Sequence, residues 1–427
     1  MKELIISPPN EKQRLFFESQ KRFIGYGGAR GGGKSWALRT KFILLALEYS
    51  GLKLLLLRKT LPELRENHLL PMLSQLNGIA RYKREERAFI FPNGSRIRLG
   101  YCDTESDIYQ YQGQEYDVIA IDEATQLSEY QFSIFKACLR GATDMPRRMY
   151  LTCNPGGIGH GWVKERFITP APPMTTIWEE VNIRHPDGKE EKRRRSRVFV
   201  PSTVFDNKIL LENDPDYLTS LAALPEAERQ ALLYGDWDSF SGQVFTEWKN
   251  DPEHYHDRAY THVIAPFKVP HEWQIWCSMD WGYTKPFAVA WYAVDHERRI
   301  YRIRELYGCT GTPNVGVQGA PARVAKEILS IEADDPNLKG RRIYRVADPA
   351  IWGTQTGESI AQVFARAGVY FEKGEHARID GKMQVHHRLS FDSEGVPMLY
   401  VFSTCKHFIR TVPNLVYDES NVEDIDS

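Results

Sequence analysis

Hydrophobic and polar positions change their pattern near the middle of the chain. In the first half, short apolar runs at residues 23–26, 54–57, 117–121 and 149–153 are bounded by glycines or charges, which predicts buried strands. Residues 35–49 have helical spacing. Strands alternating with helices predict a parallel-rich sheet covered on its faces. Residues 170–197 break the pattern: they are rich in proline and charge, with Arg193, Arg194, Arg195 and Arg197 close together, and are expected to form an exposed loop or linker. From 201 to 238, Leu218, Leu221 and Leu224 give one apolar face to a small helical piece.

The second half has a different grammar. Runs at 275–279, 288–294 and 300–306 are separated by short turns, predicting an antiparallel meander. A helix near 322–331, a strand at 343–347 and a helix near 359–367 follow. Three antiparallel strands, a helix and a further strand is the order of a ribonuclease-H-like fold.

Composition narrows the field little. A chain of 427 residues holds two domains with separate cores. With 55 basic and 56 acidic residues, any nucleic-acid surface must be a local patch. The six cysteines lack CxxC spacing, which speaks against a zinc ribbon or a secreted disulfide framework. The start, MKELIISPPNEKQ, has no signal-peptide core, and no apolar run approaches the roughly 18–20 residues that span a bilayer. A soluble intracellular protein, with no membrane partner, is expected.

Candidate chemistry is concentrated at strand ends. Gly28-Ala29-Arg30-Gly31-Gly32-Gly33-Lys34-Ser35 fits GxxxxGK[ST], after a strand and before a helix. Glycines let backbone N–H groups converge on phosphate oxygens, Lys34 reaches the β- and γ-phosphates of ATP, and Ser35 ligates Mg2+. The strand that ends at Asp122-Glu123 supplies a second Mg2+ contact, Asp122, and a base for the attacking water, Glu123. Arg30 is a candidate for neutralising charge on the γ-phosphate, Asn154 for sensing it, and Gln13 for reading the adenine edge. In the second half, Asp280 and Asp348 each end an apolar strand. Paired carboxylates on neighbouring strands hold hard cations, Mg2+ or Mn2+, in two-metal nucleases. Glu305, on the third strand, is a possible extra ligand. The fold class expected is therefore α/β: a P-loop ATPase domain over 1–200, a helical lid or linker over 201–240, and a ribonuclease-H-like nuclease domain over 241–427.

The segments 25–35, 54–66 (LLLLRKTLPELRE), 118–123, 152–157, 202–207 (STVFDN), 234–237 (YGDW), 279–282 and 347–349 together resemble the large terminase family of tailed bacteriophages. The resemblance implies an ATP-driven motor that moves duplex DNA into a procapsid and a two-metal endonuclease that cuts concatemeric DNA. It also implies portal protein, a small terminase subunit and a homo-oligomeric ring as partners. The expected location is the host cytoplasm, transiently docked on the procapsid, and not the mature virion. Two departures stand out. The family places a third nuclease carboxylate near a DHxYD-like element, and this chain ends at Ser427 before one; either the chain is truncated or Asp424 or Asp426 substitutes from a flexible tail, and truncation or an atypical end, with weak nuclease activity, is the favoured reading. A basic residue expected in the turn before the Asp122 strand is replaced by Tyr111-Gln112-Gly113-Gln114, which leaves Arg140 as a substitute trans-acting arginine. The competing reading is an ATP-dependent helicase or remodelling enzyme with an inactive ribonuclease-H-like platform.

Overall fold

The computed structural model describes residues 4–142, 144–145, 147–238, 242–310, 315–353, 357–375, 377–417 and 424–425. It divides into two compact units, Met1–Gly242 and Gln243–Ser427.

The first unit is built on a nine-stranded sheet. Its strands are β1 (Phe23–Gly28), β2 (Lys53–Arg58), β3 (Arg81–Lys83), β4 (Ala88–Ile90), β5 (Arg96–Tyr101), β6 (Val118–Ile121), β7 (Arg148–Cys153), β8 (Ile177–Arg184) and β9 (Glu190–Ser202). Their spatial order is β3-β4-β5-β2-β6-β7-β1-β9-β8. The five pairings from β5 through β2, β6, β7 and β1 to β9 are parallel, and antiparallel pairs close each edge. The apolar runs read as central strands are buried on both faces, as a parallel sheet requires. Alternate side chains of these strands feed two cores: Ile24, Leu54, Leu56 and Val118 on one face, and Phe23, Leu55, Ile119 and Met149 on the other. The parallel direction brings the carboxyl ends of β1, β2, β6 and β7 to one rim, where a doubly covered sheet places its ligand.

Residues 170–197 are not the loop expected. Most of them form the β8–β9 hairpin, in which Glu180 pairs with Arg194 at 2.7 Å and Glu179 lies 3.7 Å from Arg197. Charged residues on both strands hid the strand period, because cross-strand ion pairs replace apolar contacts here. The helical piece after β9 contains Lys208–Asn213, Asp216–Ala222 and Glu226–Arg229, packed through Val204, Leu221 and Leu233, with Leu218 and Leu224 alongside.

The second unit holds a seven-stranded sheet: β10 (Val263–Ile264), β11 (Gln274–Asp280), β12 (Ala288–Val294), β13 (Ile300–Tyr307), β14 (Ile343–Ala347), β15 (Glu372–Lys373) and β16 (Leu399–Phe402). The order is β10-β16-β13-β12-β11-β14-β15. β11, β12 and β13 form the antiparallel meander, and β14 returns parallel to β11 after the helix Pro321–Asp334. This is the ribonuclease-H-like order. Ile275, Cys277 and Met279 face the core with Val324 and Ile328 of that helix, so the alternating residues Ser278 and Asp280 face the other side. Among the described residues, no helix is long and apolar enough to cross a membrane.

Candidate functional site

The phosphate loop leaves β1 and enters the 15-residue helix Lys34–Glu48. Gly31 and Gly33 have φ of 78° and 72°, a left-handed backbone that glycine adopts without strain. The first N–H groups of the helix have no intrahelical acceptor and carry its positive end, which suits an anion. Bonds from outside hold the loop, among them Ala29 N–H to the Ser202 carbonyl at 2.9 Å, Arg30 N–H to the Leu232 carbonyl at 2.8 Å, and Asn207 Nδ2 to the Gly31 carbonyl at 2.7 Å. The segment after β9 is thus fastened directly to the loop. Lys34 is buried and donates to the Ala29 carbonyl within its own loop. Burial pulls its ammonium below the ordinary value, against the opposing pull of Glu123 and Asp122.

Asp122 and Glu123 stand at the end of β6, next to β2 and β7. Ser35 Oγ lies 3.1 and 3.2 Å from the two Asp122 oxygens, so the paired ligands do converge. Asp122 also accepts from Arg58 Nη1 at 2.7 Å, from His68 Nε2 at 2.9 Å and from Thr152 Oγ1. Burial alone would raise its carboxyl, but His68, Arg58 and Thr152 outweigh it and hold Asp122 well below the usual carboxylate range. Hydrogen bonds and positive charge on the ionised form have this effect. Glu123 is different. Its φ of 55° turns the chain sharply after the strand, Thr152 Oγ1 accepts its N–H at 3.0 Å, and Asn154 Nδ2 reaches its carboxylate. Burial raises the Glu123 carboxyl, Lys34 opposes this and Asp122 adds to it. Two adjacent acids are thereby set apart: positive and hydrogen-bonding partners favour the ionised form of Asp122, while burial favours the protonated form of Glu123.

The surroundings include two cavities that border the loop and the helix after it. One of about 420 Å³ is lined by Arg30, Lys34, Ser35, Arg58, Glu123, Asn154 and Tyr217, among others. It gathers the residues predicted to surround a γ-phosphate. The second, about 610 Å³, is lined by Pro9, Gln13, Gly33, Trp36, Phe205 and Asn207, among others. Gln13 sits on its wall with both ends engaged: Oε1 accepts from Asn10 N–H at 2.9 Å, closing a capping box, and Nε2 donates to the Gly33 carbonyl at 3.3 Å. Arg140 lies elsewhere, exposed beside Glu115 at the opposite end of β6 from Asp122.

Sequence reading missed Arg58, His68 and Thr152. Arg58 ends an apolar strand just as Asp280 and Asp348 do, and that position was a usable signal. For His68 there was none, since its contact with Asp122 spans 54 residues of chain.

In the second unit, Met279 pairs with Ala347, which sets Asp280 and Asp348 at adjacent strand tips. Burial raises the Asp280 carboxyl, and the Asp348 charge raises it further. Asp348 also accepts from Ala350 N–H at 2.7 Å. Two like charges this close favour a cation between them, and an all-oxygen pair suits a hard one. Glu305 does not join them. Its oxygens accept from His407 N–H at 2.7 Å, Phe408 N–H at 3.1 Å and Arg302 at 3.3 Å, which spends the carboxylate on the start of the helix Lys406–Thr411. Asp424 pairs with Arg378 at 3.1 Å, and Asp426 lies outside the described residues. Among the described residues, no group of three or more His, Cys, Asp or Glu side chains forms a metal cage.

Comparison with curated protein sequences gives no match. Among solved structures, the chain is similar to the large terminase of a thermophilic bacteriophage, at 17% identity over 98% of this chain and 95% of that one, TM-score 0.44. It is also similar to the HK97 bacteriophage large terminase, at 11% identity over 98% and 91%, TM-score 0.48. The P22 large terminase nuclease domain matches 44% of this chain and 84% of its own length, at 16% identity and TM-score 0.31. The family model described as phage terminase large subunit matches residues 20–222, from the start of β1 through the phosphate loop, Asp122, Glu123 and the helix Asp216–Ala222. By that match, residues 20–222 are similar to the phage large terminase family.

Proposed function

We propose that the first unit hydrolyses ATP to drive duplex DNA into a procapsid, and that the second unit cuts that DNA with divalent metal ions. The observation that carries the first half is the pair just beyond β6: Asp122 bonded to Ser35, Arg58 and His68, and Glu123 on the wall of the cavity at the phosphate loop. A store or switch for nucleotide needs the ligand but not the base.

The chain's own residues divide the work. The loop amides and Lys34 bind the phosphates, Lys34 exchanging the Ala29 carbonyl for phosphate oxygen. Ser35 and Asp122 would hold Mg2+, which when bound neutralises charge on the phosphate oxygens. Glu123 orients water and accepts its proton as the water oxygen bonds to the γ-phosphorus and the bond to the ADP oxygen breaks. Arg30 borders the same cavity and is placed to meet the negative charge that develops. Asp280 and Asp348 would hold Mg2+ or Mn2+, which activates water and stabilises the leaving 3′ oxygen. Portal protein, a small terminase subunit, a homo-oligomeric ring and a cytoplasmic site on the procapsid complete this reading.

The test is ATP turnover by the purified chain, with Lys34→Ala, and packaging into empty procapsids. Lys34→Ala should abolish turnover, and packaging should need the procapsid. Unwinding of a forked duplex without procapsids would favour a helicase instead.

A further inference from the structure

β2 is followed by the short helix Leu61–Leu64, a π-turn Arg65–Leu69 and the helix Leu70–Gln75. A π-turn accommodates an extra residue and re-aims the side chains around it. Here His68 points inward. Its ring is fully buried, and its Nε2 lies 2.9 Å from Oδ2 of Asp122, which is equally buried. An ionised carboxylate only accepts, so the imidazole nitrogen facing it carries the hydrogen. The other nitrogen, Nδ1, is buried without a hydrogen-bond partner. A buried polar atom left unpaired is a cost that an apolar side chain would avoid. Packing therefore does not explain a histidine here; its bond to Asp122 does.

Arg58 also holds Asp122, at 2.7 Å, but it is poorly suited to hold it alone. Its Nε lies 3.5 Å from Glu63, and it borders the cavity beside the phosphate loop, where an anionic nucleotide competes for it. His68 is fully buried, and Asp122 is its hydrogen-bond partner.

We propose that His68 is a positioning residue for the magnesium carboxylate. It fixes the orientation of Asp122 against Ser35, so that both oxygens stay converged on one divalent ion when nucleotide draws Arg58 away. This rests on the nucleotide-hydrolysing reading of the first unit. Partners one bond behind a metal ligand act in this way, by removing the ligand's freedom to turn.

The test uses the full chain and titrates Mg2+ against two readouts, binding of a fluorescent ADP analogue and ATP turnover. Three variants are compared with the parent. His68→Leu fills much of the ring volume without a donor. His68→Gln carries an amide donor at comparable reach, and His68→Asn carries the same donor one methylene short. His68→Leu and His68→Asn should raise the half-saturating Mg2+ about 10- to 100-fold in both readouts. ADP binding without metal should stay at the parent level, and His68→Gln should return the Mg2+ requirement toward that of the parent. An unchanged requirement in folded His68→Leu overturns the proposal. If that variant fails to fold, an unchanged requirement in His68→Asn does so instead. A parent that binds no ADP at any Mg2+ concentration sinks the nucleotide reading and this inference together, which distinguishes the two failures.

Discussion

Asn154 Nδ2 lies 3.0 and 2.9 Å from the two oxygens of Glu123, so the residue just after β7 holds a carboxylate just beyond β6. The contact spans 31 residues and joins neighbouring strands of the parallel sheet. A donor on both oxygens keeps the carboxylate aimed but leaves it less basic than burial alone would. On the proposed mechanism, activation of water by Glu123 requires it to share or leave this bond.

Glu123→Gln should retain nucleotide binding and lose turnover by about two to three decades, or about 2.7–4 kcal/mol of barrier. Asn154→Asp should lower turnover as well, because it sets a second carboxylate against Glu123 and expels it from its position. Steady-state ATPase rates and equilibrium ADP binding, measured side by side, separate the two effects. Wild-type turnover by Glu123→Gln would remove Glu123 from the mechanism.

The first site was legible because its signal is local. Eight consecutive residues spell the phosphate loop, and strand ends followed by acids mark Asp122, Glu123, Asp280 and Asp348. Contacts distant in sequence were not legible. Arg58 and His68 meet Asp122 across 64 and 54 residues, and no spacing rule connects them. Glu305 shows a different failure. It stands opposite Ala290, which stands opposite Ser278, so it shares the face of Asp280 and resembles a ligand. A helix start 102 residues later takes its carboxylate. The β8–β9 hairpin was missed because its alternation is carried by charge rather than by apolar residues.

His160 should make the first unit sensitive to mild acid. Its Nδ1 accepts from Gly156 N–H at 2.9 Å and its Nε2–H donates to the Trp237 carbonyl at 3.1 Å, so the neutral ring uses both nitrogens. Burial, with help from Lys164, brings it down to about 3 from an ordinary 6.5. The folded state therefore binds this proton less readily than the unfolded chain. The stabilisation is complete above pH 6.5 and is lost as pH falls from there toward 3. Between pH 7 and pH 5 the loss should be about 2 kcal/mol. His160→Gln, which does not titrate, should be less stable at pH 7 but show a correspondingly flatter pH dependence in urea unfolding. Parallel pH dependences for parent and variant would exclude His160 as the source.

DNA binding by a chain with 55 basic and 56 acidic residues must depend on local clusters. The β8–β9 hairpin offers one. Strand alternation puts Arg193, Arg195 and Arg197 on one face. Glu191 and Glu179 neutralise part of it, at 2.6 Å from Arg193 and 3.7 Å from Arg197. Arg22 lies near Arg195; burial and then Arg195 lower its guanidinium. Binding to duplex DNA should be independent of sequence and fall steeply with salt. Arg195→Ala should reduce the slope of log K against log salt by about 0.9 if Arg195 meets one phosphate. Fluorescence anisotropy between low and physiological salt measures this. An unchanged slope would clear Arg195 of a phosphate contact.

Asp280 and Asp348 set function against stability in the second unit. Burial raises the cost of ionising Asp280, and the Asp348 charge adds to it. A carboxyl raised in the folded state destabilises it at neutral pH, where both groups must be ionised, and the cost fades as pH falls. In chelator, Asp280→Asn should therefore melt higher than the parent at pH 7, with the gap closing under acid. Divalent ions should reverse the order, because they bind the parent's paired charges and stabilise the folded state by mass action. Among the described residues no group of three such ligands forms here, and Mg2+ demands stricter octahedral geometry, so plasmid cleavage should be much stronger with Mn2+. Asp280→Ala or Asp348→Ala should eliminate cleavage and leave ATP hydrolysis intact. Plasmid nicking in Mn2+ and melting with and without the ion form one experiment. If Asp280→Asn melts no higher in chelator and Asp280→Ala still cuts at the parental rate, the strand tips of β11 and β14 are not the nuclease centre.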